Sequence, residues 1–231
     1  MAYILNIETA TQVCSVGLSL NGEVRALRES SEKNIHASMT TLFIEEVLKE
    51  EAIRYNDLSA LAVSKGPGSY TGLRIGTSVA KGLCYSLDIP LIAVGTLQAM
   101  AYGASLTVDD DECLFCPMID ARRMEVYTAI FNAKNEQVRE VKPEIIEKDS
   151  FSDFLKEKRV YFFGNGAGKT KALLADNPNA FYLDDILPSA KFMSPLAHRA
   201  YEQKDFADTA YFEPFYLKEF RPGIPRVKGL E

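Results

Sequence analysis

The chain has 231 residues, 47% of them hydrophobic and 25% charged, with a formal net charge of −6. That balance suits one large domain or two small ones with real cores and excludes global disorder. It also speaks against a protein that binds nucleic acid alone, which would carry a basic face, and no apolar run approaches the ~20 residues that span a bilayer. In chain order, residues 2–7, 13–20 and 23–29 alternate as strands do, with Asn21-Gly22 marking a tight hairpin. Ile35, Met39, Leu42, Phe43, Val47 and Leu48 recur at helical spacing, so residues 35–51 form an amphipathic helix. Residues 58–64 are the next strand, 73–87 the next helix, 90–94 a short strand and 96–102 a helix.

Residues 107–112, polar and rich in aspartate, read as a connection between lobes, after which the theme restarts. Strands are expected at 113–119, 125–132 and 137–141, a helix near 150–156, a strand at 160–163, then a glycine turn and a helix, and a late helix over 194–203. Three strands followed by alternating helix and strand, twice, give two α/β lobes. The division expected is 1–106 for the first lobe, 107–217 for the second and 218–231 for a basic tail. The tail sets Lys218, Arg221, Arg226 and Lys228 against Glu219, and Pro222, Gly223 and Pro225 keep it irregular. It reads either as a frayed, solvated terminus or as a peptide that orders on a partner or on RNA.

The most informative segment is Lys65-Gly66-Pro67-Gly68-Ser69-Tyr70-Thr71-Gly72-Leu73-Arg74-Ile75-Gly76, between a strand and a helix. Its glycines allow a sharp turn, Pro67 fixes one φ, and Thr71 is placed to cap the helix. Such a loop serves equally as a packing turn or as an anion site at a helix N-terminus. Its wording, with Tyr3-Ile4-Leu5-Asn6-Ile7-Glu8-Thr9-Ala10-Thr11, Val94-Gly95-Thr96-Leu97, Ile119-Asp120-Ala121-Arg122-Arg123-Met124-Glu125-Val126-Tyr127 and Glu213-Pro214-Phe215-Tyr216-Leu217, resembles the TsaB family over nearly the whole chain. These are bacterial partners of the paralogous transferase TsaD in making threonylcarbamoyladenosine at position 37 of tRNAs that read codons starting with A. The resemblance implies two tandem ribonuclease-H-like lobes of the actin-like, sugar-kinase-like ATPase fold. It implies a cytoplasmic, non-catalytic subunit that pairs with TsaD, joins TsaE in the full assembly, forms a homodimer alone and reaches tRNA through the complex. No membrane contact is expected, and no leader pattern opens the chain.

In actin-like ATPases the turn after the first strand holds phosphate, which points to Glu8, Thr9, Ala10 and Thr11 as a degenerate phosphate turn. Glu8 stands where such enzymes carry Asp and the usual turn glycine is missing, so no cofactor is expected in the isolated chain, with ATP or ADP left to the full complex. Gly164-Asn165-Gly166-Ala167-Gly168-Lys169-Thr170 looks like a Walker turn, but one residue too few separates Gly164 from Gly168. TsaD holds its metal with a His-x-x-x-His pair. This chain has only His36 and His198, with Thr40 where the second histidine of such a pair would stand. Cys113 and Cys116, three apart on a strand, point to opposite faces. No metal site and no catalytic residue are therefore expected, and Cys14, Cys84, Cys113 and Cys116 read as buried free thiols. Asp120, Arg122, Arg123 and Glu125 are expected to pair as structural charges or to touch a ligand in the cleft. The family pairs through first-lobe helices, which directs attention to His36, Met39, Leu42, Phe43, Leu73, Gly76, Val79, Ala80 and Leu83. Gly72, Gly76, Ala80 and Cys84, spaced four apart, would let a partner helix approach closely. The runner-up reading is an active actin-fold ATPase or small-molecule phosphotransferase.

Overall fold

The computed structural model describes residues 1–32 and 35–218. The chain opens with β1 (Tyr3–Glu8), β2 (Cys14–Leu20), β3 (Glu23–Ser30), α1 (His36–Glu50), β4 (Ala60–Gly66), α2 (Tyr70–Leu87), β5 (Leu91–Gly95) and α3 (Thr96–Ser105). It continues with β6 (Leu114–Asp120), β7 (Glu125–Asn132), β8 (Gln137–Ile145), α4 (Ser152–Leu155), β9 (Val160–Phe163), α5 (Lys171–Leu174), β10 (Ala180–Tyr182) and α6 (Ala190–Gln203). The β2–β3 hairpin turns at Asn21 and Gly22, both at positive φ, as its strand twist requires.

The two sheets repeat one topology. The first has the order β3-β2-β1-β4-β5 and the second β10-β9-β6-β7-β8. In each, the first three strands are antiparallel neighbours and the remaining two add parallel to the first. This is the duplicated ribonuclease-H-like arrangement of the actin-like fold. β8 runs on past residue 141 to Ile145 and takes in Pro143, which an edge strand tolerates because its outer side has no ladder to break.

Five layers result. On α1, the buried Thr40, Phe43, Ile44, Val47 and Leu48 form one stripe at helical spacing, which sits with α2 on one face of the first sheet. Fully burying a side chain such as Leu73 of α2 is worth roughly 1.5–3 kcal/mol. The other face holds α6 through Met193, Leu196 and Ala197 and α3 through Ala99. Leu97, Met100, Ala101 and Ala104 of α3 meet Phe115, Phe131 and Phe163 of the second sheet, so α3 belongs to both lobes. Leu155 and Leu174 close the far side of the second sheet.

Two expectations need correction, and a third is not tested by the described residues. Residues 107–217 do not stay together as a second lobe, because α6 returns to pack on β1, β2 and β5 of the first sheet. Its apolar stripe finds a whole sheet face there that α3 alone would leave half covered. Ser69, not Thr71, caps α2: its Oγ accepts the Gly72 N–H at 3.3 Å, one turn earlier than the helical pattern indicated. The basic tail beyond Lys218, with Glu219, Arg221, Pro222, Gly223, Pro225, Arg226 and Lys228, lies outside the described residues. No described helix is long and apolar enough to cross a membrane.

Candidate functional site

The glycine loop lies directly over the turn that follows β1. Ser69 N donates to Ala10 O at 2.6 Å, and Thr9 Oγ1 donates to Gly72 O at 2.8 Å. A Cβ on Gly68 would stand 2.2 Å from Ala10 O, one on Gly72 2.1 Å from Thr9 O, and one on Gly76 2.3 Å from Thr9 Oγ1. Gly68 and Gly72 thus let backbone meet backbone, and Gly76 leaves room for the Thr9 hydroxyl. Between the packing turn and the anion site that the sequence left open, the geometry favours the packing turn: the Ser69 N–H is spent on Ala10 O, and the Gly72 N–H on Ser69 Oγ.

That seating closes the degenerate phosphate turn. Glu8, Thr9 and Ala10 have no exposed surface and Thr11 only 8%. They were read as a degenerate phosphate turn with no cofactor in the isolated chain; in the structure that turn lies buried beneath the glycine loop. Glu8 Oε1 accepts the Ala10 N–H at 2.6 Å, while Oε2 has no partner among the described residues. Burial pushes its carboxyl up to about 7, only partly offset by the Ala10 bond. At neutral pH such a group carries its charge only about half of the time, which makes it a poorer Mg²⁺ anchor than an ordinary carboxylate.

The Walker-like turn is equally committed. Lys169 Nζ reaches Asp120 Oδ1 at 2.5 Å, Arg123 O at 2.8 Å and Glu125 O at 2.5 Å, which uses all three of its protons. Asn165 Oδ1 accepts from Asp120 N at 2.9 Å. A Cβ on Gly164, which has φ 94°, would lie 2.4 Å from Met118 O. The turn is thus a staple on the end of β6. The adjacent cleft of about 250 Å³ is lined by Gly164, Gly168, Lys171, Tyr182 and Asp184, and not by Lys169. Burial works against the Asp120 carboxylate, but the Lys169 bond and the Arg122 N–H hold it below its ordinary range.

The expected charge pairing at 120–125 divides. Asp120 pairs with Lys169, and Glu125 with Lys218, a contact that spacing could not reveal because Lys218 comes from the far end of the chain. Arg122 and Arg123 pair with no acid within 4 Å among the described residues; both sit at positive φ, 71° and 53°. All four cysteines are buried and unpaired. Cys113 and Cys116 do face opposite sides of the second sheet, one towards α3 and one towards α4. Burial raises both thiols, to about 11 and about 12, which leaves neither a ready ligand.

The first-lobe helices separate into two faces. Gly72, Leu73, Gly76, Ala80 and Cys84 of α2 and Phe43 of α1 are buried in the first lobe itself. The small-residue stripe therefore serves the sheet and the 8–11 turn, and Phe43, Leu73, Gly76 and Ala80 are withdrawn as partner contacts. What faces outward is Leu42, 42% exposed, and Tyr85, 88% exposed, while Met39, Val79 and Leu83 are half-buried and pack against the edge of the first core. Gly82 on the same outward face has nothing within 4 Å of a Cβ. His36, half-buried at the start of α1, sits 3.3 Å from Val13 O, and His198 lies 3.5 Å from Glu202, far from it in the fold.

Comparison with known proteins gives a consistent set of similarities. Residues 29–192 match the family model described as TsaD, tRNA N6-adenosine threonylcarbamoyltransferase. The chain is 30% identical to the Escherichia coli tRNA threonylcarbamoyladenosine biosynthesis protein TsaB, over 93% of this chain and 94% of that one. Among solved structures, a Pseudomonas aeruginosa protein described as similar to the peptidase YEAZ superposes with a TM-score of 0.83 at 25% identity, covering 94% of this chain and 100% of that one. The ADPNP-bound activator of 2-hydroxyisocaproyl-CoA dehydratase from Clostridium difficile shares the fold alone, with a TM-score of 0.52 at 9% identity over 89% of this chain and 98% of that one.

Proposed function

The chain belongs to the TsaB family and so takes part in making threonylcarbamoyladenosine in tRNA; from that premise we propose that it does so as a non-catalytic partner of TsaD. The observation that supports this reading is the closed turn at residues 8–11, which is buried and bonded to the glycine loop seated over it. Phosphoryl transfer depends on groups placed around the phosphate and its metal. An active ATPase or phosphotransferase would have to lift the loop and break the Ser69–Ala10 and Thr9–Gly72 bonds. The subunit's contribution is then binding energy: docking on TsaD favours the conformation of TsaD that transfers the threonylcarbamoyl group.

The partly exposed residues of α1 and α2, Met39, Leu42, Val79 and Leu83, are the docking surface in this reading. The same face pairs with a second copy of the chain when TsaD is absent, and TsaE, with ATP or ADP, joins only the full assembly. The test mixes the purified chain with TsaD from the same cell and measures complex formation and tRNA modification together. Leu42→Asp is expected to leave the melting temperature within about 2 °C, since it changes an exposed site, and to abolish both the complex and the modification it supports. Full complex formation by a folded Leu42→Asp variant would remove this face from the interface.

A further inference from the structure

One strip of the surface carries positive charge that the described fold does not neutralise. It begins at Arg74 on α2, whose guanidinium lies 5.6 Å from the centre of the Tyr70 ring. Tyr70 packs on Tyr216, with ring centres 4.7 Å apart. Two residues on, Lys218 pairs with Glu125, stands 5.5 Å over the Tyr127 ring and donates to Ala121 O at 3.5 Å. Ala121 leads into the turn that carries Arg122 and Arg123. Of the acids along the strip, Asp120 and Glu125 are each taken by a lysine, and Glu213 stands near Tyr216. Arg74, Arg122 and Arg123 are exposed and have no ion-pair partner within 4 Å among the described residues. Local charge thus opposes the −6 of the whole chain.

The arginine turn is also held rigidly. Lys169 bonds two of its carbonyls, Asp120 Oδ1 takes the Arg122 N–H, and Asn165 fixes Asp120 N. Two successive non-glycine residues at positive φ are sterically unfavourable and persist because these bonds over-determine them. A turn so braced presents its guanidinium groups with little backbone freedom left to lose on binding.

We propose that this strip is an RNA contact surface, in which Arg122, Arg123 and Arg74 meet backbone phosphates and the Tyr70–Tyr216 pair flanks unpaired bases. Basic groups interleaved with aromatic rings along an open edge suit single-stranded RNA and its loops, whereas a small free anion would be held in a concave pocket. The repulsive net charge means that the strip acts within an assembly that already holds the RNA, so this inference rests on the partnership with TsaD.

The experiment reconstitutes the chain with TsaD and titrates fluorescently labelled substrate tRNA at several salt concentrations. Arg122→Asn with Arg123→Asn removes both charges and keeps a residue that accepts positive φ. The double variant is expected to bind TsaD with unchanged affinity and tRNA about tenfold more weakly, with the salt slope shallower by about 2. The KM for tRNA rises and kcat stays. The Arg122→Lys, Arg123→Lys pair is expected to retain binding, and Arg74→Gln, at a helix position free of backbone strain, to weaken it independently. Unchanged tRNA affinity and salt slope in the asparagine pair overturn the proposal, as does equal weakness in the lysine pair. If the unaltered chain fails to bind TsaD, the partnership reading fails instead. The same titration on the chain alone at low salt then reads the strip directly, and absence of a difference between unaltered and asparagine proteins there also overturns it.

Discussion

Glu8 ends a central strand with one oxygen on the Ala10 N–H and the other facing no partner among the described residues. Its carboxyl is raised from 4.5 to about 7, mainly by burial. Because the folded value is the higher one, the native state binds the proton more tightly than the unfolded chain. The stabilising contribution is complete below about pH 4.5 and is lost as pH rises through about 7. Each tenfold difference in proton affinity between the two states is worth about 1.4 kcal/mol, so the full loss is about 3 kcal/mol. Glu8→Gln keeps an oxygen for the Ala10 amide and cannot ionise, so it is expected to match or trail the unaltered protein at pH 5 and to melt several degrees higher at pH 8. Thermal melts of both proteins across that range check this, and curves that fall in parallel would show that Glu8 does not titrate there. The sequence marked Glu8 as an unusual acid in a phosphate turn. That the turn is closed was not legible, because the residues that close it, 68–72, come from a loop after a different strand and meet it only through the parallel pairing of β1 with β4. Likewise the staple role of Lys169 depends on β9 lying beside β6, which no local pattern encodes.

Helix α2 shows how far periodicity reaches. Residues four apart do share a face, so the row Gly72, Gly76, Ala80 and Cys84 was readable as a unit. Which way that row turns was not, since Leu73, Val79, Leu83 and Leu87 offer a second apolar row. The fold resolves the choice sterically: only the small row lets α2 sit on Thr9 and the sheet, as the close approaches at Gly72 and Gly76 require. Two tryptophan substitutions follow from this. Ala80 has no exposed surface and lies in the first core, so Ala80→Trp overpacks it and is expected to lower stability by about 1–3 kcal/mol or more. Gly82 faces outward into open space, so Gly82→Trp is expected to leave the melting temperature within about 2 °C while blocking the docking proposed for this face. Melting curves beside a TsaD binding assay separate the two. A destabilised Gly82→Trp, or an Ala80→Trp as stable as the unaltered protein, would reverse the assignment of faces.

At the scale of the molecule, the duplication was legible because each lobe repeats three strands and then alternates helix with strand, and β7 and β9 fall where the pattern put them. Two features were hidden. The short β10, three residues long, carries too few positions to show a period. The return of the chain after β10 to the first lobe is a matter of which sheet face is left open, not of local sequence. After α6 the chain runs back as a strap across the first lobe. Ala207 N bonds Leu91 O at 2.8 Å at the edge of the first sheet, and Phe215 N bonds Lys65 O at 2.7 Å beside the glycine loop. Lys81 Nζ grips Ala210 O at 2.9 Å and Phe212 O at 3.1 Å, before Lys218 reaches Glu125 of the second sheet. The strap therefore ties the loop that closes the 8–11 turn to the turn that carries Arg122 and Arg123. Its polar grip from α2 is one ammonium on two carbonyls, added to the packing of Ala207 and Phe212 against the first core. Lys81→Met keeps the length of the side chain and removes both bonds. Amide exchange across residues 207–215 is expected to speed up by about tenfold, the effect of losing roughly 1.4 kcal/mol of local stability, while the sheets keep their protection. Exchange unchanged over that segment would mean that the strap is held by the Lys65 and Leu91 bonds and the Tyr70–Tyr216 contact without Lys81. Faster exchange over the whole first sheet would mean that the strap is part of the first lobe's cooperative core.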